Sequence, residues 1–144
     1  MTSIAAVPAE LLGPQTDYMP RRRYLADFLE AHPGHHNQSW WLLDDRLDER
    51  RIPLAEMREN ICDTDGCAAG WTVVLFGDPD WEVDTNSVYF SSSCYSLGKQ
   101  IREAAAVLLD LTPDERLVIF AADTTRADVL AGLRGQEAAA DSSG

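Results

Sequence analysis

The chain has 144 residues, 45% of them hydrophobic, and sets 24 acidic against 12 basic side chains for a formal net charge of -12. That length suits a single globular domain with its own core. The charge argues against a nucleic-acid or anionic-membrane surface, because the phosphate attraction that dominates such binding needs clustered Lys and Arg.

In chain order, residues 1–17, with Pro8, Gly13 and Pro14, read as a loosely held start, 18–134 as one helical domain, and 135–144 as a disordered tail. Arg21, Arg22 and Arg23 form a short basic run. Tyr24, Leu25, Phe28 and Leu29 fall at helical spacing over 22–31, and Pro33 and Gly34 stop that helix near His32. Trp40, Trp41, Leu42 and Leu43 form an apolar knot without a clean period, so helix and strand both stay open there. Pro53 suits the first turn of a short helix reaching Asn60.

The spacing predicts a buried helix over 66–76, capped by Asp63, Thr64 or Asp65, with Cys67, Trp71, Val74 and Leu75 on one face. Gly66 and Gly70, one turn apart, would let a neighbouring backbone approach closely, and Gly77 with Pro79 ends the helix. The Val, Tyr and Phe residues of 81–92 predict a strand or a short hairpin turning over 84–87. A long amphipathic helix is expected over 97–109, with Leu97, Ile101, Ala104, Ala105 and Leu108 inward. Thr112, Pro113, Asp114 and Glu115 make a capping box for a helix through Leu117, Phe120 and Ala121, and a last helix starts near Thr124 or Thr125 and ends at Gly135. The fold class read from the sequence is therefore mainly α, with a short β-hairpin as its one β feature.

Residues 62–71 read Cys-Asp-Thr-Asp-Gly-Cys-Ala-Ala-Gly-Trp. This run resembles the Cys-Gly-Thr-x-x-Cys-x-Ala-Gly-Trp signature of a group of short uncharacterised proteins of actinobacterial phages and prophage-bearing bacteria. The matching positions are Cys62, Thr64, Cys67, Ala69, Gly70 and Trp71. The likeness extends over roughly 40–133: an upstream tryptophan, Trp40 or Trp41, and a step at Leu109, Asp110, Leu111 and Thr112 leading to Phe120. Asp63 and Asp110 stand where the signature has glycine. The resemblance implies a small helical domain of phage type and no particular reaction.

Chemistry is sparse. Cys62 and Cys67 have four residues between them, the edge of zinc-site spacing, and a metal would need partners from His32, His35, His36 and Cys94. A disulfide and plain core packing are the other readings of the two thiols; a reducing compartment and two helical positions would work against the bridge. There is no nucleophile elbow around Ser91, Ser92 and Ser93, no glycine-rich phosphate loop and no dinucleotide fingerprint, so no catalytic residue and no cofactor is expected.

Between Arg58 and Lys99 there is no basic residue, while Glu59, Asp63, Asp65, Asp78, Asp80, Glu82 and Asp84 all fall there. The alternation of Asp78, Asp80, Glu82 and Asp84 misses the calcium-loop pattern, with Val83 in place of its glycine and Tyr89 in place of its bidentate Glu. These acids with Trp81, Tyr89 and Phe90 make an acidic, aromatic surface of the kind found at protein interfaces. The leading expectation is a non-enzymatic protein binder of phage or prophage type, with a basic partner. A cysteine and histidine metal site or enzyme, and a nucleic-acid-mimicking inhibitor, are the alternatives. No apolar run reaches the roughly 18 residues that span a bilayer, and no basic-then-apolar leader opens the chain, so a cytoplasmic protein with no membrane partner is expected.

Overall fold

A computed structural model describes residues 7–38, 41–44, 47, 50–59, 64–90, 98–121 and 123–135. Six α-helices stand in it: α1 (Met19–Ala31), α2 (Leu54–Glu59), α3 (Ala68–Phe76), α4 (Ile101–Leu109), α5 (Pro113–Ile119) and α6 (Arg126–Leu133). Between them run β1 (Leu42–Leu43), β2 (Ile52–Pro53), β3 (Asp65–Gly66), β4 (Glu82–Val83), β5 (Ser87–Tyr89) and β6 (Lys99–Gln100). The pair β1-β3 and the four-stranded sheet β2-β4-β5-β6 are both antiparallel. The architecture is mixed α/β, with 53% of the described residues in helices and 13% in strands, which corrects the expectation of a mainly α domain.

The hairpin predicted over 81–92 is β4 and β5, with Glu82 opposite Tyr89 and Val83 opposite Val88. The strands around it were hidden because segments of two or three residues are too short to show a period. Pro53 is the last residue of β2, opposite Glu82, and not the first of a helix. Lys99 and Gln100 likewise form β6, so α4 starts at Ile101; Leu97 lies outside the described residues.

At the centre is α3, in which every residue from Ala68 to Phe76 is buried. It has no single apolar face because it packs on all sides, chiefly against α4 and α1. Its N-cap is Cys67, without a side-chain cap bond. Of the expected caps, Asp65 belongs to β3, Thr64 precedes that strand, and Asp63 is outside the described residues. The close approach expected at the glycines does occur: a Cβ on Gly66 would sit 2.8 Å from the Trp41 carbonyl oxygen, and one on Gly70 only 1.7 Å away. Only glycine lets β1 lie so near the start of this helix.

The outer helices follow ordinary capping rules. Thr112 and Glu115 form the reciprocal capping box of α5, and Thr125 caps α6 by accepting from the Asp128 N–H. Asp110 ends α4 in the left-handed region at φ 54°, a conformation usually taken by glycine. On α5 Leu117 is 73% exposed, and Ile119 and the C-cap Phe120 face the core. Two of the three arginines of the basic run are structural: Arg21 is 3% exposed and donates to the carbonyls of Leu11, Gly13 and Leu108, while Arg22 donates to those of Leu109 and Asp110 and pairs with Glu115 at 3.0 Å; Arg23 is exposed. Leu11, in a 3₁₀ turn over Ala9–Leu11, is buried. Among the described residues no helix is long and apolar enough to cross a membrane.

Candidate functional site

Two clusters contain the residues singled out by sequence, and they differ in what they leave available. The first is the run 64–71 with the histidine loop. His35 and Thr64 are joined by a 2.9 Å bond from the ring Nδ1 to the Thr64 carbonyl, and the His36 Nε2 meets Gln38 Oε1 at 2.8 Å. The Asn37 N–H donates to the Gly66 carbonyl at 2.9 Å, and Trp71 Nε1–H donates to the His35 carbonyl at 2.8 Å. Thr64 Oγ1 donates to the buried Asp44 carboxylate at 2.5 Å. These bonds lace the loop onto the front of α3 and satisfy polar atoms that burial would otherwise penalise.

Cys67 is fully buried and free, and burial pushes its thiol up to about 11. At neutral pH it is a thiol, a poor nucleophile and a poor metal ligand. Among the described residues no three His, Cys, Asp or Glu side chains are grouped so as to hold a metal ion. Of the other ligands considered, His32 lies against Phe28, with ring centroids 4.7 Å apart, and Cys62 and Cys94 are outside the described residues. The arrangement can hold a loop in place; it presents no activated group.

The second cluster is the hairpin. Here the four alternating acids divide into two kinds. Asp84 builds the turn: its Oδ1 accepts from the Asn86 and Ser87 N–H groups, and its Oδ2 accepts from the Tyr89 hydroxyl at 2.7 Å. That last bond, with burial second, pushes the Tyr89 phenol up. Glu82 pairs with Arg51 at 3.2 Å, and the Arg51 guanidinium also covers the Tyr89 ring at 4.2 Å. Glu82, Asp84 and Tyr89 are thus tied into the sheet by partners of their own.

Asp78 and Asp80 are exposed; Asp78 Oδ1 accepts from the Asp80 N–H in a local turn, and Pro79 between them is exposed as well. Trp81 and Phe90 meet edge to face at 4.7 Å, and Phe90 is 44% exposed. Four of the seven predicted residues therefore converge on one open edge. The sequence reading missed Arg51, which ties down Glu82 and Tyr89 from just ahead of β2. No local signal marked it, because β2, whose pairing brings it beside β4, is too short to show a period. Compared with protein families, curated proteins and solved structures, the chain has no match.

Proposed function

We propose that this chain is a non-enzymatic protein-binding domain, acting in the cytoplasm, that docks on a basic partner through Asp78, Asp80, Trp81 and Phe90. The observation that carries the reading is the Trp81–Phe90 pair: two aromatic rings in contact, one of them 44% exposed, beside two exposed carboxylates. Aromatic anchors supply most of the burial at an interface, and rim carboxylates select the sign of the partner and speed its approach. The resemblance of residues 62–71 to short phage proteins makes a phage or host protein the first partner to look for. Glu82 and Asp84 are excluded from the contact set because their own partners occupy them. That occupation also weakens the nucleic-acid-mimic reading, which needs carboxylates spaced like backbone phosphates on one surface.

The test is quantitative capture from host lysate by the purified chain, its Phe90→Ala variant, an Asp78→Asn/Asp80→Asn variant and a charge-matched Glu103→Gln/Asp123→Asn control. A protein retained by the wild type and control, and lost at least about tenfold with each edge variant, supports the assignment. Retention of the same protein by both edge variants sinks it.

A further inference from the structure

A cavity of about 350 Å³ lies between the start of α1, the end of α3 and one flank of α4, with walls that include Leu12, Tyr18, Phe76, Trp81 and Leu108. Arg21 lines it and is only 3% exposed. Its Nε, Nη1 and Nη2 each donate to a backbone carbonyl, of Leu11, Leu108 and Gly13 respectively. The second hydrogens of Nη1 and Nη2 have no acceptor among the described residues, and no carboxylate there pairs with the guanidinium. A guanidinium cannot shed its proton, so this is a buried full positive charge met by carbonyl dipoles and by the Tyr18 and Phe76 rings, whose centroids lie 5.8 and 5.4 Å from its central carbon, with no carboxylate partner among the described residues. Its place in the first turn of α1 adds the positive end of a helix dipole. The nearby Asp17 carboxylate is engaged elsewhere, accepting from the Met19 N–H.

From this charge, its spare donors and the apolar walls, we infer that the cavity is a binding site for a single carboxylate carried on an apolar body. The carboxylate takes the spare Arg21 hydrogens in a charge-assisted pair, and the apolar body covers Phe76, Trp81 and Leu108. Asp78 also lines the cavity and is exposed, so its charge opposes a second anionic group and selects monocarboxylates over di- and triacids. The same chemistry can come from a free small acid or from the C-terminus of a peptide ending in an apolar residue. The site borders the docking edge and shares Asp78 and Trp81 with it, but its anchor, Arg21, takes no part in that edge, so the proposal does not rest on the docking reading.

Titration calorimetry on the full chain distinguishes the sources. The probes are 4-methylpentanoate, a tetrapeptide ending in leucine, and the C-terminal amide of each. The expected result is saturable one-to-one binding of one or both acids and at least about tenfold weaker binding of the amides. Binding of the small acid alone assigns a metabolite site; tighter binding of the peptide assigns a C-terminus reader. Arg21→Met should abolish binding but removes three bonds that hold the fold. Val107→Trp is therefore the second variant: Val107 is 65% exposed on the cavity wall, and a larger ring there closes the space with Arg21 intact. Leu117→Ala, at a 73% exposed position outside the cavity lining, should bind the acids as the wild type does. No binding of either acid by folded wild type, or equal binding of acids and amides, overturns the proposal.

Discussion

Replacing Gly70 with alanine tests the central packing relation of the fold. The added methyl would lie 1.7 Å from the Trp41 carbonyl oxygen and 2.8 Å from its carbon. Nonbonded heavy atoms settle near about 3.5 Å, so the two backbones must separate by well over an ångström. No rotamer relieves this, because the obstructing atoms are main chain. The shift would pull β1 from β3, where Leu42 pairs with Gly66. Overpacking of a tight core costs about 1–3 kcal/mol and sometimes more, against about 1 kcal/mol gained in helix propensity, and the lost strand pairing adds to the cost. We expect a net loss of about 2–4 kcal/mol, or roughly 6–12 °C in Tm for a chain of this size.

Urea unfolding followed by tryptophan fluorescence, with the slope checked for constancy, measures the loss. Gly132→Ala is the matched control. There the nearest obstruction is the Ile119 side chain at 3.1 Å, which can turn aside, so the change should stay within about 1 kcal/mol of wild type. A Gly70→Ala protein as stable as wild type, or no less stable than Gly132→Ala, would refute the reasoning.

Three further outcomes follow from bonds described above. Asp84→Ala removes the acceptor of two turn N–H groups and the Tyr89 hydroxyl and should cost about 1–3 kcal/mol in chemical denaturation, whereas Asp78→Asn should stay within about 0.5 kcal/mol; equal losses would show that the hairpin acids do not differ in role. For Glu115, burial works to raise the carboxyl but is outweighed by the Thr112 N–H and the Arg22 guanidinium, which hold it below its usual value. Its charged form therefore stabilises the fold fully above an unfolded value near about 4.3, and the advantage over Glu115→Gln should shrink as pH falls through the lower folded value; a difference unchanged from pH 6 to 3 would contradict this. Burial lowers the His36 pKa against the opposing Gln38 bond, with Arg126 adding to the fall, so below about pH 6.5 the unfolded chain takes up a proton that the folded one refuses. Stability should decline on acidification from there to the folded pKa, and His36→Gln should flatten that part of the profile; identical slopes would count against it.

Readability from sequence tracked the range of the forces involved. The capping box at Thr112 and Glu115, the N-cap at Thr125 and the hairpin turn at Asp84 are local bonds between near neighbours, and their signals stood in the sequence. The glycine pair announced a close approach without saying what approaches. That needed the distant Trp41 carbonyl. Largely hidden was the mixed α/β class: strand stayed open at Leu42 and Leu43, but each strand beyond the hairpin has two residues and exists only through a partner elsewhere in the chain. Arg21 stood in the sequence only as part of a short basic run. Its burial is fixed by carbonyls at Leu11, Gly13 and Leu108, the last of them 87 positions away. At the candidate edge, the sequence found the aromatic rings and the acids but could not sort them, since Glu82 is distinguished from Asp80 only by the reach of Arg51.

The complete burial of α3 has a consequence before the protein is folded. Its nine residues, AAGWTVVLF, contain no charge at all, and nothing in them discourages sticking between chains while they are still exposed. Asp63 and Asp65 precede the segment and Asp78 and Asp80 follow it, as charged gatekeepers commonly flank an unavoidable apolar stretch. Part of the acidic block then protects the nascent chain, whatever else its carboxylates do at the finished surface. Refolding should accordingly lose yield to aggregation first when those four groups are neutralised, at a pH where the native protein still stays in solution.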